Sequence, residues 1–143
     1  MNEVILLKYG EIVLKGLNRR RFEEILLKNI RNAVSGIGTP EIQTAQSTVY
    51  VSFAEADADY GRALENLSRV FGISALTRAL QGSYDFNTAL QECGDYLEEV
   101  FQTAGTFKVT AKRADKKYCL NSPQIGALAG EYLLEKFPHL SVD

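Results

Sequence analysis

EIQTAQSTVYVSF, residues 41–53, decides the fold. It reads as two short strands back to back, 41–46 and 48–53; in the second, Val49, Val51 and Phe53 alternate with Tyr50 and Ser52. The context on either side makes this hairpin informative. Upstream, EVILLKY (3–9) is a strand whose unbroken apolar run predicts burial on both faces. A helix follows, with Asn18 as its N-cap and with Leu17 and Phe22 spaced as a hydrophobic staple. Its apolar positions Phe22, Leu26, Ile30, Ala33 and Val34 recur at helical spacing until Gly36-Ile37-Gly38 ends the segment. Downstream, the spacing predicts a helix over 57–71 with Tyr60, Leu64, Leu67, Val70 and Phe71 inside and Gly72 as its stop, then a strand over 73–80.

A hairpin between two helices gives the order βαββαβ, the ferredoxin-like arrangement, in which two helices cover one face of a four-stranded antiparallel sheet. The fold class is therefore α+β, with a ferredoxin-like domain over residues 1–80 and a partial α/β domain over 81–143. In the second part Asp85 caps a helix carrying Ala89, Leu90, Cys93, Leu97, Val100 and Phe101, closed by Gly105. FKVTAKR (107–113) predicts a strand with Phe107, Val109 and Ala111 on one face and Lys108, Thr110 and Lys112 on the other. Ser122-Pro123 reads as the N-cap and first residue of a last helix that buries Ile125, Leu128, Ala129, Tyr132, Leu133 and Phe137 before Pro138. Two helices with so little sheet leave apolar stripes uncovered. Further strands are therefore expected after Asp143, and the open edge favours pairing with a second copy as a homodimer.

Of the 143 residues, 45% are apolar and 24% charged, which is ordinary globular composition. No apolar run approaches the ~20 residues of a membrane span, and the N-terminus lacks the pattern of a signal peptide. Two cysteines make no disulfide framework, so a protein of the reducing cytoplasm is expected. The net charge of −2 hides an asymmetry. Residues 8–31 carry seven basic and three acidic side chains, residues 108–117 five and one, and all the rest four and 14. Positive charge gathered in two places on an acidic chain suits a polyanion site, although two solvated faces would look the same.

Catalytic candidates are few. His139 is the only histidine and follows a proline near the end, so neither a His-based metal cluster nor a Ser-His-Asp triad can be assembled. Cys93 falls on an apolar helical stripe and reads as packing. Cys119 follows Lys116 and Lys117, a setting that favours a reactive thiol, but it has no recognisable base. Gly36-Ile37-Gly38 leads into Thr39-Pro40 and a strand, unlike a phosphate-binding loop. No cofactor is expected to bind this chain, and no metal.

The binding signals are stronger. Arg19, Arg20 and Arg21 open a helix, where the macrodipole disfavours each cation by ~0.3–1 kcal/mol. That placement makes sense if an anion sits there, or if the three side chains fan into solvent. KRADKKYCLNS (112–122) joins four cations to an aromatic, an amide and a hydroxyl ahead of a helix. Phosphates call for Lys and Arg, unpaired bases for an aromatic face and polar partners, so single-stranded RNA fits better than a membrane.

KYGEIVLKGLNRRRFEEILLKNI (8–30) closely resembles the opening of the tRNA 4-thiouridine synthetases, tRNA sulfurtransferases that also serve thiamine thiazole synthesis. Gly10-Glu11, Lys15-Gly16 and the Asn18-to-Phe22 element carry the match. FKVTAKRADKKYCLNSPQIGALAGEYLL (107–134) resembles the THUMP domain of the same family, a domain also found in RNA methyltransferases and pseudouridine synthases. The resemblance implies a tRNA-gripping N-terminal part that holds the acceptor stem and 3′ CCA end. It implies a downstream domain that uses ATP with magnesium to adenylate uridine 8, and a cysteine desulfurase that supplies persulfide sulfur. It assigns RNA contact to Lys112, Arg113, Lys116 and Lys117, with Asn121 and Ser122 near the 3′ end, and backbone phosphates to Lys15, Arg19, Arg20 and Arg21; Tyr118 is the aromatic of the same segment, a base-stacking candidate that could equally be packed.

Overall fold

The computed structural model describes residues 2–10 and 19–143. Asn18, Leu17 and Lys15 lie outside these, and with them the expected cap, staple and one expected phosphate contact. Contacts divide the chain into two compact units at Gln81/Gly82.

The first unit runs β1 (Asn2–Tyr9), α1 (Arg19–Ala33), β2 (Pro40–Ala45), β3 (Thr48–Phe53), α2 (Tyr60–Leu67) and β4 (Ile73–Gln81). The sheet order is β2-β3-β1-β4, with every neighbour antiparallel. This is the ferredoxin-like topology the chain order implied. The hairpin register pairs Ala45 with Thr48, so Gln46 and Ser47 form the two-residue turn, at φ 47° and 64°. Positive φ at both positions is what a type I′ turn demands.

One face of the sheet meets the two helices. Ile5, Leu7 and Tyr9 of β1 and Val49, Val51 and Phe53 of β3 pack against Leu26 and Ile30 of α1, Val34 just beyond it, and Tyr60, Ala63 and Leu67 of α2. The Tyr60 hydroxyl accepts the Phe53 backbone N–H at 3.1 Å, and the two rings meet edge to face. Contrary to the expectation of two-sided burial, Val4 and Leu6 point to the other face of the sheet and are only half-buried. The helices cover one face, and an apolar run reads the same whether one or both faces are covered.

The second helix is also shorter than 57–71. Asp59 caps it by accepting the Arg62 N–H at 3.0 Å, so that it starts at Tyr60, and it ends at Leu67. The chain then turns through Gly72, which has φ 96° and lies so close to Phe22 that an added Cβ would sit 2.8 Å from the ring. Phe22 fills that place, and Phe71, expected inside, is 87% exposed.

The second unit contains α3 (Phe86–Thr103), β5 (Thr106–Phe107), α4 (Ser122–Lys136) and β6 (Ser141–Val142). Asp85 caps α3 as expected, accepting the Thr88 N–H at 3.0 Å. The expected strand 107–113 shrinks to β5, which pairs in parallel with β6 over two residue pairs. The side chains of 107–113 still alternate between covered and exposed, but beyond Phe107 no ladder partner lies alongside among the described residues. A shallow core forms from Phe107, Leu133, Phe137 and Leu140, with Phe101 stacked among them. Leu128 and Val100, both expected to be buried, are exposed.

Candidate nucleic-acid interface

The polar segment 112–122 is held in shape by its own bonds. Asp115 organises its centre: its Oδ1 accepts the Lys117 N–H at 2.9 Å, and its carbonyl accepts the Tyr118 N–H at 3.2 Å. At the far end, Asn121 and not Ser122 is the N-cap of α4. Its side chain accepts the Gln124 N–H while the Gln124 side chain accepts the Asn121 N–H, a capping box with both bonds at 2.9 Å. Ser122 is freed for another task, and its Oγ accepts the Arg113 backbone N–H at 3.1 Å. This closes the two ends of the segment onto each other.

Those bonds sort the expected contacts into two groups. Lys112, Lys116 and Lys117 project from the segment and are exposed to solvent. Arg113 is half-buried, with its guanidinium turned back toward the Leu120 carbonyl at 3.5 Å. Asn121 and Ser122 spend their side chains on the cap and the closure. Tyr118 packs its ring against Tyr84, with centroids 5.0 Å apart and planes at 89°, and donates its hydroxyl to the Tyr84 carbonyl at 3.1 Å. Sequence reasoning passed over Tyr84, which is 71% exposed beside the lysines. The signal was there: an aromatic in the polar stretch QGSYD (81–85), belonging to no apolar period.

Partial desolvation, then the Asp115 carboxylate, raises the Tyr84 phenol above its ordinary pKa; desolvation does the same for Tyr118, aided by nearby Cys119. Both remain neutral phenols at physiological pH. Cys119 is exposed, and among the described residues no side chain is bonded to it as a base. Burial pushes the Cys93 thiol up, which suits packing. His139 is exposed, and in its Nε2–H form donates to the Phe101 carbonyl at 2.6 Å, a tether rather than a catalytic base.

The first-unit arginines are placed differently. Arg19 donates Nε–H to Glu23 at 3.1 Å and Arg20 lies 3.7 Å from Glu24, each one turn along α1. Arg21 is exposed and has no ion pair among the described residues. With Lys28 and Arg31, also exposed, it gives the outer face of α1 a net positive charge.

No described residue forms a phosphate-binding loop. Gly36 and Gly38 lead into β2, and an added Cβ on Gly38 would lie 2.6 Å from Glu55, whose carboxylate accepts the Thr39 N–H and hydroxyl at 2.7 Å. A carboxylate there repels a nucleotide phosphate. Among the described residues no three His, Cys, Asp or Glu side chains are grouped to hold a metal, and no helix is long and apolar enough to cross a membrane.

Residues 4–77 match the model of the ThiI ferredoxin-like domain. The chain belongs to the ThiI family. Residues 84–143 of this ThiI-family chain match the THUMP domain. It is 38% identical to a probable tRNA sulfurtransferase of Acetivibrio thermocellus and 41% identical to one of Lachnoclostridium phytofermentans. Each alignment takes in 100% of the chain and 37% of the relative, so the chain spans little more than a third of the length of these curated relatives. Among solved structures it matches a 4-thiouridine synthetase in complex with RNA and bound ATP, with TM-score 0.81 and 29% identity over 100% of the chain and 36% of that protein. It also matches PH1313 from Pyrococcus horikoshii, with TM-score 0.72 and 33% identity over 100% of the chain and 47% of that protein.

Proposed function

We propose that this chain is the tRNA-gripping N-terminal part of a cytoplasmic tRNA sulfurtransferase that makes 4-thiouridine at position 8 and also serves thiamine thiazole synthesis. The observation that carries the reading is the bond-braced segment 112–122, which presents Lys112, Lys116 and Lys117 to solvent beside an exposed aromatic. The names of the similar sulfurtransferases and the RNA in the similar solved structure support it. In this reading the segment holds the acceptor stem and the 3′ CCA end, with Arg21, Lys28 and Arg31 following the backbone. Adenylation with ATP and magnesium belongs, in the same reading, to a further domain. A cysteine desulfurase supplies the sulfur, and a second copy of the chain is a partner. The alternative, an RNA methyltransferase or pseudouridine synthase bearing a THUMP domain, is disfavoured by the ThiI-type first domain.

Binding to whole tRNA and to the same tRNA lacking CCA, across a salt series, tests this. The expected result is steep salt dependence, weaker binding without CCA, and a slope that falls by about one for each of Lys112, Lys116 and Lys117 changed to Gln. An unchanged slope in the triple variant overturns the assigned site.

A further inference from the structure

We infer that Tyr84 is a base-stacking residue, its ring taking the face of one unpaired nucleobase in single-stranded RNA. This rests on the RNA-binding reading and adds to it a contact that reads bases rather than phosphates.

Three observations carry it. Tyr84 is 71% exposed although its ring meets Tyr118 edge to face, so a single neighbour covers only part of it and most of the ring stays open. Its position is nonetheless fixed. The Tyr118 hydroxyl holds its carbonyl at 3.1 Å, its own hydroxyl lies 3.5 Å from Asp115 Oδ2, and Asp85, the next residue, is locked as the cap of α3. Finally, Asp115 also accepts the Lys117 N–H, so the same carboxylate that steadies the ring sets the backbone from which Lys116 and Lys117 project. A ring immobilised before binding, beside cations that attract a polyanion, loses little entropy when a base stacks on it. Every base has a π-face, so the contact is tolerant of sequence and selective for unpaired nucleotides. An interior position in a duplex offers no free face.

The test uses an RNA hairpin with a four-nucleotide 3′ overhang, 2-aminopurine being placed at each overhang position in turn, and the same hairpin with a blunt end. With the unaltered chain, the fluorescence of one position is expected to be quenched on binding. Tyr84→Ala should abolish that quench and weaken overhang binding about tenfold, leaving blunt-end binding unchanged. Tyr84→Phe should keep both quench and affinity, because stacking needs the ring and not the hydroxyl. Tyr84→Leu, which preserves apolar bulk if the alanine variant is disordered, should behave like Tyr84→Ala. If Tyr84→Ala and Tyr84→Leu keep the quench and the affinity while Lys116→Gln and Lys117→Gln weaken binding, stacking is overturned and RNA binding survives. If the unaltered chain binds neither hairpin, the RNA reading falls and stacking falls with it.

Discussion

The two units of the chain contain similar helices and very different cores. Among the described residues, twelve hydrophobic residues are buried in one cluster in the first, and four in the second. Helix length does not explain it, since α3 and α4 have 18 and 15 residues and α1 and α2 have 15 and eight. The difference is the sheet. β1 is paired along both edges, over eight residues with β4 and four with β3, so Ile5, Leu7 and Tyr9 have somewhere to be pressed. β5 and β6 meet over two pairs, and the groove beside them, lined by Phe107, Val109, Gly126, Gly130 and Leu134, stays open. An amphipathic helix makes a core only where a partner surface receives its stripe. Val100 and Leu128 lie on such stripes and face solvent.

The sharpest way to break this contrast is to cut into each core. Leu7→Ala, at a fully buried position, is expected to cost about 2–5 kcal/mol and to erase amide protection across β1, β3 and β4. Phe137→Ala in the second unit should cost less than the usual ~3–5 kcal/mol for that change, because a shallow core closes over the loss. Hydrogen exchange resolved by peptide measures both in one sample. A loss at Phe137 equal to or greater than that at Leu7 would mean the second core is as tightly packed as the first. A smaller effect sharpens the picture within the second unit: Asn121→Ala removes half of the capping box and should cost about 1 kcal/mol. The first-turn amides of α4 should exchange faster while those of α1 do not change.

The same contrast marks what could be read from sequence. Val49, Val51 and Phe53 alternate because one face of β3 is buried, and the alternation survives in the letters. The apolar run of β1 conceals which face is covered, since Val4 and Leu6 differ from Ile5 and Leu7 only in what lies above them. Residues 107–113 alternate too, and their side chains do segregate; the ladder failed to follow because pairing depends on a partner far away in sequence. The helix starts slipped by one to three residues, each set by which side chain reaches a first-turn N–H. Asp59 sets the start of α2 by reaching the Arg62 N–H, and Asn121 won over Ser122 because Gln124 completes the box. At the candidate interface the lysines were legible as charge. The inward turn of Arg113 and the packing of Tyr118 against Tyr84 were not, because each depends on Asp115 or Ser122 folding the segment onto itself.

The smallest expected effect separates the units by acid. Among the described residues, each has a carboxylate held below its ordinary pKa by a threonine: Glu55, by the Thr39 hydroxyl and then its N–H, and Asp85, by the Thr88 hydroxyl and then its N–H. A depressed folded pKa means that between the two values the unfolded chain binds more protons, so stability falls as the pH falls. Each contribution is present in full above the unfolded carboxylate range near pH 4 and is lost as pH drops through the folded value. Both groups are exposed, so solvent screens them and the shifts in melting are small. Asp85→Asn keeps a capping oxygen without a titrating group, and should flatten the acid limb of exchange in α3 alone. Glu55→Gln should flatten it in the first unit alone, around the Gly38–Thr39 turn. If either variant changed the acid response of both units equally, the two would unfold as one cooperative body, and their unequal cores would not set unequal stabilities.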